Sequence, residues 1–498
     1  MIPREHRWQS LDRNELQQLQ VDTLRNYLRD TVLPFSLHYR KLFKTHGIGV
    51  SSIRSMDDLR RIPFTSKNDL LSTPGEPDKM RDFLLVPDPK LLMKRPSVIA
   101  KALIFGRDAA TRSLEREFRP IMLTSTTGRS SEAVPFLYTQ RDIDNLAVAG
   151  YRVMRTCSAG RGMRMLNVFP FAPHLAFWLT HYAGTEFGVF MLSTGGGKVM
   201  GTDGNIRMLK KIKPDVMIGM PTFIYHVLHE AAATGVKCPN LSMIVLGGEK
   251  APSGMRRKLC ALLQELGVER SHILCTYGFT EAKMAWSECP YPGGSASGGY
   301  HTSSDMGIFE VVNPHTGEPV GEGTPGELVY TPLNARGSVV LRYRTGDVID
   351  GGLYHEKCPH CGRRVPRLVG NISRTSEVRE MRLDKLKGTL IDFNQLEHIL
   401  DNSERIATWQ LEIRKANDDP LDLDELILHV QKQDGGDEEQ LRDELQEKFV
   451  EETEIHPNQI LFHSAQELRR MQGVGTQLKE QRVVDNRPQG VESAGKSK

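Results

Sequence analysis

Three short stretches of this chain carry side chains able to do phosphate and sugar chemistry: Thr124-Ser125-Thr126-Thr127-Gly128-Arg129, Tyr277-Gly278-Phe279-Thr280-Glu281 and Tyr343-Arg344-Thr345-Gly346-Asp347. Small hydroxyl residues closing on a glycine can wrap phosphate oxygens in hydroxyls and backbone N–H groups, and Arg129 adds a positive charge at the rim. Glu281, beside the Thr280 hydroxyl, is of the type that shares Mg²⁺ with substrate phosphates, although a lone carboxylate after a turn is usually plain surface. Asp347 offers two oxygens to paired ribose hydroxyls, a bidentate task that Asn performs less well. Each stretch alone reads as an ordinary polar turn, whereas the three together read as a nucleotide site.

Such a site needs a scaffold. From about Ile121 to Asp350, short apolar segments alternate with helical patterns and glycine-rich turns, as in 165–169, 215–219 and 243–247. Buried strands of this kind predict an α/β fold with a mostly parallel sheet flanked by helices, and ligands at the strand ends. Gly247-Gly248-Glu249 closes one strand, where the missing side chains would let a flat ring lie against backbone or simply make a turn. Leu16, Leu19, Leu24 and Leu28 predict an amphipathic helix over 15–32. After Arg374 the pattern becomes strand, strand, helix: Trp409, Leu411 and Ile413, then Leu426, Leu428 and Val430, then Leu441, Leu445 and Phe449. This predicts a large domain over 1–373, a small α+β domain over 374–487 and a disordered tail over 488–498.

The 498 residues suffice for several domains, and 65 basic against 62 acidic residues give a net charge of +3. No global field calls for nucleic acid or an anionic membrane. The absence of an apolar run of about 20 residues and of an apolar N-terminal leader points to the cytoplasm. Seven cysteines, an odd number, fit a reducing compartment better than a disulfide framework. A Walker-type match at 490–497 has no strand before it and reads as chance.

The three motifs, in this order, resemble the adenylate-forming superfamily of acyl-CoA synthetases, adenylation domains and luciferases, and within it the phenylacetate-CoA ligase family. The resemblance runs from about Leu16 to Arg487 and includes Met56-Asp57-Asp58-Leu59, Pro63-Phe64-Thr65-Ser66-Lys67, Leu246-Gly247-Gly248-Glu249, Gly326-Glu327-Leu328-Val329 and Cys358-Pro359-His360-Cys361-Gly362-Arg363. It implies an AMP-forming ligase that uses ATP, Mg²⁺ and coenzyme A on a small carboxylic acid, phenylacetate-like by likeness alone, with no nucleic acid or membrane partner and compatible with a homodimer. An acceptor on a carrier protein, an amine acceptor and a binding-only homologue stay open.

Driving a carboxylate onto a phosphate brings two anions together, so cations and fixed dipoles must offset the repulsion. The resemblance assigns Lys479, in Leu478-Lys479-Glu480-Gln481-Arg482, to neutralise that charge as a catalytic residue with Thr280 and Glu281. It sets Tyr277, Gly278 and Gly247 to Glu249 around adenine and the acyl pocket, Asp347 on ribose, and Arg374 at a hinge. The chain departs from the family in having Ser125 where glycine is usual, Ser130, Ser131 and Glu132 where a lysine often follows, no glycine before Lys479, Ser373 for glycine and a longer 378–386. Cys358-x-x-Cys361 has the spacing to grip a tetrahedral Zn²⁺, or to act as a redox dithiol. Cys289 and His301, in a segment resembling the family's Cys-to-His-to-Asp stretch, would complete four ligands, with His360 as a substitute for His301.

Overall fold

The computed structural model describes residues 11–73, 75–76, 78–126, 133–291, 297–374, 378–384, 387–416, 423–433, 435, 437–453, 455–474 and 480–487, with backbone alone over 378–384, 387–392 and 394–395. Thr127, Gly128, Arg129, Lys479 and the tail therefore lie outside the described residues.

A nine-stranded sheet forms the centre of the larger part of the chain. Five of its strands, Phe190–Gly195, Arg164–Pro170, Val216–Gly219, Met243–Leu246 and His272–Phe279, pair in parallel in that spatial order. The central three, Arg164–Pro170, Val216–Gly219 and Met243–Leu246, are buried almost throughout, which is why they read as unbroken apolar runs. Beyond His272–Phe279 the sheet turns antiparallel through Met284–Ser287 and Tyr300–His301. A second, all-antiparallel sheet of Gly307–Val312, Gly326–Pro332, Tyr343–Ile349 and Ile372–Arg374 stands beside it. The fold is thus α/β with a parallel-rich sheet, extended by antiparallel strands that the sequence pattern did not separate.

The N-terminal helix runs over Arg13–Tyr27, capped reciprocally by Asp12 and Glu15, and continues as a π-helical turn over Leu28–Val32. Leu16, Leu24 and Leu28 are buried as the spacing predicts, while Leu19 faces outward. Later in the chain, before the first strand, comes a helical hairpin, Pro96–Phe105 and Arg107–Phe118, turning at Gly106 with φ +85°.

After Arg374 comes an antiparallel hairpin, Val378–Asp384 with Lys387–Asp392, and then a four-stranded sheet of Gln459–Phe462, Asp424–Lys432, Ile406–Lys415 and Val483–Asp485. The helices Phe393–Asn402 and Glu438–Thr453 close a core of its own with Trp409, Leu411, Ile413, Leu428, Leu445 and Phe449. The strand–strand–helix alternation seen in the sequence is this unit's core face.

The unit meets the rest of the chain along the helix Ser253–Glu265. The Ser253 hydroxyl donates to Asn402 Oδ1 at 2.9 Å, Lys250 Nζ lies 3.4 Å from Glu397, and Arg469 pairs with Glu230 at 2.8 Å. Lys258 Nζ donates to the Ile406 and Ala407 carbonyls. Gly254 lies so close to the Asp401 carbonyl that a Cβ there would overlap it.

Candidate active site

The C-terminal ends of the parallel strands, the second sheet and residues 480–486 enclose one cleft of about 2300 Å³. Thr126, Gly247, Gly248, Glu249, Tyr277, Gly278, Thr280, Glu281, Asp347 and Arg374 all line it, although some are over two hundred residues apart. This convergence is what the three sequence motifs require of one site.

Backbone geometry explains the glycines. A Cβ on Gly247 would stand 2.5 Å from Thr276 Oγ1, and one on Gly278 would stand 2.5 Å from Ala285 Cβ across the Gly278–Ala285 strand pair. Gly248 holds φ +81°, which side chains rarely adopt. Larger residues at these positions would displace the walls on which a flat ligand could lie.

Charge is fixed by reciprocal ties. The Tyr277 hydroxyl donates to Asp347 Oδ2 at 2.8 Å, and Arg374 Nε, reached through the Asp347–Arg374 strand pair, lies 2.8 Å from Asp347 Oδ1. The Tyr343 hydroxyl donates to Glu281 Oε1 at 2.7 Å. Burial, reinforced by the neighbouring carboxylates, pushes both phenols well above their usual range, so each remains a donor at neutral pH. On the opposite wall the Thr222 hydroxyl donates to Glu249 Oε2 at 2.6 Å. Burial first, and then the charge of Glu249, push the Glu480 carboxyl up to about 8. Residues 480–486, the immediate continuation of Lys479, thus lie along the cleft.

Two of the expected phosphate residues, Thr124 and Ser125, do not line the cleft. Thr124 is fully buried, its hydroxyl donating to the Tyr138 hydroxyl at 3.2 Å, so it braces the strand Pro120–Ser125 against its neighbour and offers nothing to the cleft. Ser125 spends its backbone N–H on the Pro173 carbonyl and its carbonyl on His174 Nδ1. Thr126 is the described residue of the run that lines the cleft.

Sequence reasoning missed Arg256. Its guanidinium lines the cleft, grips Glu288 with 2.7 and 2.8 Å bonds and also donates to the Tyr291 hydroxyl. No motif surrounds it, and its partner is 32 residues away. Glu480 and Glu249 also escaped notice as a facing pair, because no spacing rule links residues on different units.

The four sulfur and nitrogen candidates are brought together as expected: the ligand atoms of Cys289, His301, Cys358 and Cys361 lie within 4.8 Å of one another. The Cys289 and Cys358 sulfurs are 3.8 Å apart, close to the edge of a tetrahedron with Zn–S bonds of about 2.3 Å. His301 Nε2 lies 3.1 Å from the Cys361 sulfur. A hydrogen bond from Cys289 leads the effects that pull the Cys361 thiol down to about 2, while Cys289, the donor, is pushed up. Neighbouring thiols in one pocket cannot all ionise without a cation, and the set has the chemistry of a closed zinc site. His360 packs against Tyr291 instead, with ring centroids 5.6 Å apart. His301 is therefore the histidine grouped with the three cysteines.

The fold and cleft define the class, and comparison with known proteins agrees. The AMP-binding enzyme family matches residues 137–337, which include Gly247–Glu249 and Tyr277–Glu281. Over that segment the chain is similar to AMP-binding enzymes. It is 27% identical to phenylacetate-coenzyme A ligase of Thermus thermophilus, over 85% of this chain and 83% of that one. It is also 27% identical to the ligase of the same name from Aromatoleum evansii, over 81% and 79%. In fold it resembles 2-hydroxyisobutyryl-CoA ligase in the postadenylation state with an acyl-AMP, with a TM-score of 0.73, 18% identity and coverage of 96% and 91%. Against that ligase in the thioesterification state, the TM-score is 0.60, with 18% identity and coverage of 97% and 92%.

Proposed function

We propose that this chain is an AMP-forming acid–CoA ligase that joins a carboxylic acid to the α-phosphate of ATP, releases pyrophosphate and then passes the acyl group to the thiol of coenzyme A. The carrying observation is that Gly247–Glu249, Tyr277–Glu281, Asp347 and Arg374 line one cleft. The names of its relatives support the same reading.

In this reading Asp347, held from one side by Tyr277 and from the other by Arg374, is set in advance to accept both ribose hydroxyls. Thr126 and Thr280 offer hydroxyls to phosphate, and Glu281, oriented by Tyr343, has the donor chemistry to hold Mg²⁺, which would offset phosphate charge when bound. Lys479 precedes a residue that already faces Glu249, which supports its assignment to the developing charge of adenylation. We place the hinge at Arg374, the last residue of the second sheet, with 374–487 acting as a lid. The higher similarity to a postadenylation than to a thioesterification arrangement supports a first-half-reaction pose. Phe169, Met220, Tyr277, Phe279 and Tyr300 give the cleft an aromatic and apolar lining that suits an aryl acid. The Cys289–His301–Cys358–Cys361 set would hold zinc as a brace outside the reaction.

Acid-dependent ATP–pyrophosphate exchange, screened over aromatic and aliphatic acids and followed by coenzyme A consumption, tests this. Exchange with an aryl acid and one thioester per ATP are expected. Nucleotide binding without exchange for any acid would sink the reading in favour of a binding homologue. Exchange without coenzyme A consumption would move the acceptor to a carrier protein or an amine.

A further inference from the structure

Although the whole chain is nearly neutral, its charge is unevenly spread. Residues 89–119 hold eight Lys or Arg against three Asp or Glu, and most of these cations are exposed. The same segment presents its apolar side chains outward. On the helix Pro96–Phe105 Val98 is the buried residue, whereas Ile99 is 46% exposed, and Leu103, Ile104 and Phe105, at the turn, are 81%, 71% and 69% exposed. A soluble surface rarely leaves three consecutive large apolar residues in water at the tip of a projection.

The tip is firmly mounted. Arg95 donates to the Asp30 carbonyl and stands 5.1 Å from the Phe35 ring, and Phe118 meets Phe35 edge-on at 5.3 Å. Lys101 Nζ donates across the hairpin to the Ser113 hydroxyl at 2.7 Å. The hairpin is therefore a fixed projection that carries apolar groups at its end and cations along its flanks.

We propose that this hairpin docks the protein on the surface of an anionic bilayer, with Leu103, Ile104 and Phe105 entering the headgroup boundary and the flanking cations held by lipid phosphates. An apolar tip within a basic surround is the pattern of interfacial membrane binding. A second copy of the chain fits the same face less well, because a symmetric contact would set the two cationic flanks against each other. No helix among the described residues is long and apolar enough to cross a bilayer, so attachment stays at the surface.

Co-sedimentation of the full-length protein with vesicles of phosphatidylcholine alone, or of phosphatidylcholine with phosphatidylglycerol, tests the proposal. Binding to the anionic vesicles, weakened by added salt, is expected. The joint variant Leu103→Ser, Ile104→Ser, Phe105→Ser should lose that binding while keeping its ATP–pyrophosphate exchange. Arg107→Glu with Arg112→Glu, which spares the apolar tip, should reduce partition by at least about fivefold per charge removed, as follows from about 1 kcal/mol per basic residue near such a surface. Absence of binding to either vesicle, or binding that both variants retain, overturns the proposal. So does a solution dimer that the serine variant converts to monomer, which would assign the face to a second copy.

Discussion

The two walls of the cleft are built differently. On the body wall each key group is tied to another part of the same wall: Tyr277 to Asp347, Asp347 to Arg374, Tyr343 to Glu281 and Arg256 to Glu288. The wall formed by residues 480–486 belongs to a unit with a separate core and meets the body through a few ion pairs, a lysine on two carbonyls and a glycine against a carbonyl. The first wall is preorganised, and the second can be released without breaking a hydrophobic core. A two-step ligase needs both properties, since nucleotide geometry must hold while the group that assists the first step departs before the second.

Removing Lys479, the proposed catalytic cation, is the harshest test of this division. Lys479→Ala should lower acid-dependent pyrophosphate exchange by about 10²–10³-fold, the usual loss for one preorganised charge. Thioester formation from preformed acyl-adenylate should be nearly unchanged, and equal loss of both half-reactions would erase the division between the walls.

Zinc bound at the Cys/His cluster would brace the body wall, because His301 lies on a strand paired with Met284–Ser287, which in turn pairs with the strand carrying Tyr277. Cys361→Ser should reduce zinc from about one per chain towards zero and move the thermal melt down by several degrees. A metal-free wild type of full stability would remove the brace from the account. Asp347→Asn, which sets an amide donor among the donors of Tyr277 and Arg374, should raise the ATP KM by roughly 10–100-fold, corresponding to about 1.5–3 kcal/mol for a disrupted charged hydrogen bond.

On the seam between the walls, Gly254→Val should cost the closed arrangement about 1–3 kcal/mol by overlap with the Asp401 carbonyl. Adenylation should slow while thioester formation from preformed adenylate is spared. The smallest effect is a pH dependence. Burial beside Glu249 raises the Glu480 carboxyl from its ordinary range to about 8, so the closed form binds the proton more tightly than the open form does. That contribution is full below the ordinary carboxylate range and is lost as pH rises through about 8. Protection of the seam from proteolysis should therefore decline as pH rises towards and past 8 in the wild type and stay level in Glu480→Gln, although Arg482 and Arg469 temper the effect in the wild type.

Much of this arrangement was legible in the sequence because periodicity reports burial. The runs at 165–169, 215–219 and 243–247 contain central parallel strands, and the alternation at Trp409, Leu411 and Ile413 became the inner face of the C-terminal sheet. Local chemistry marked Glu281, Asp347, Cys358 and Cys361, while Tyr277, Cys289 and His301 came from the family resemblance. Other features had no local signal. Nothing near Thr124 tells which strand residues face the cleft, since a shift of one position reverses every side chain. Arg256 and Glu288 meet only through tertiary folding, and Glu249 faces Glu480 only because one unit has closed on another.

The seam at Gly254 has a further consequence for turnover. Where two surfaces meet through a backbone hydrogen and a carbonyl, neither side loses rotamer freedom at that point on meeting, and none must be regained on parting. In the proposed lid motion, closing at this one point is governed by fit and asks for no side-chain rearrangement of its own.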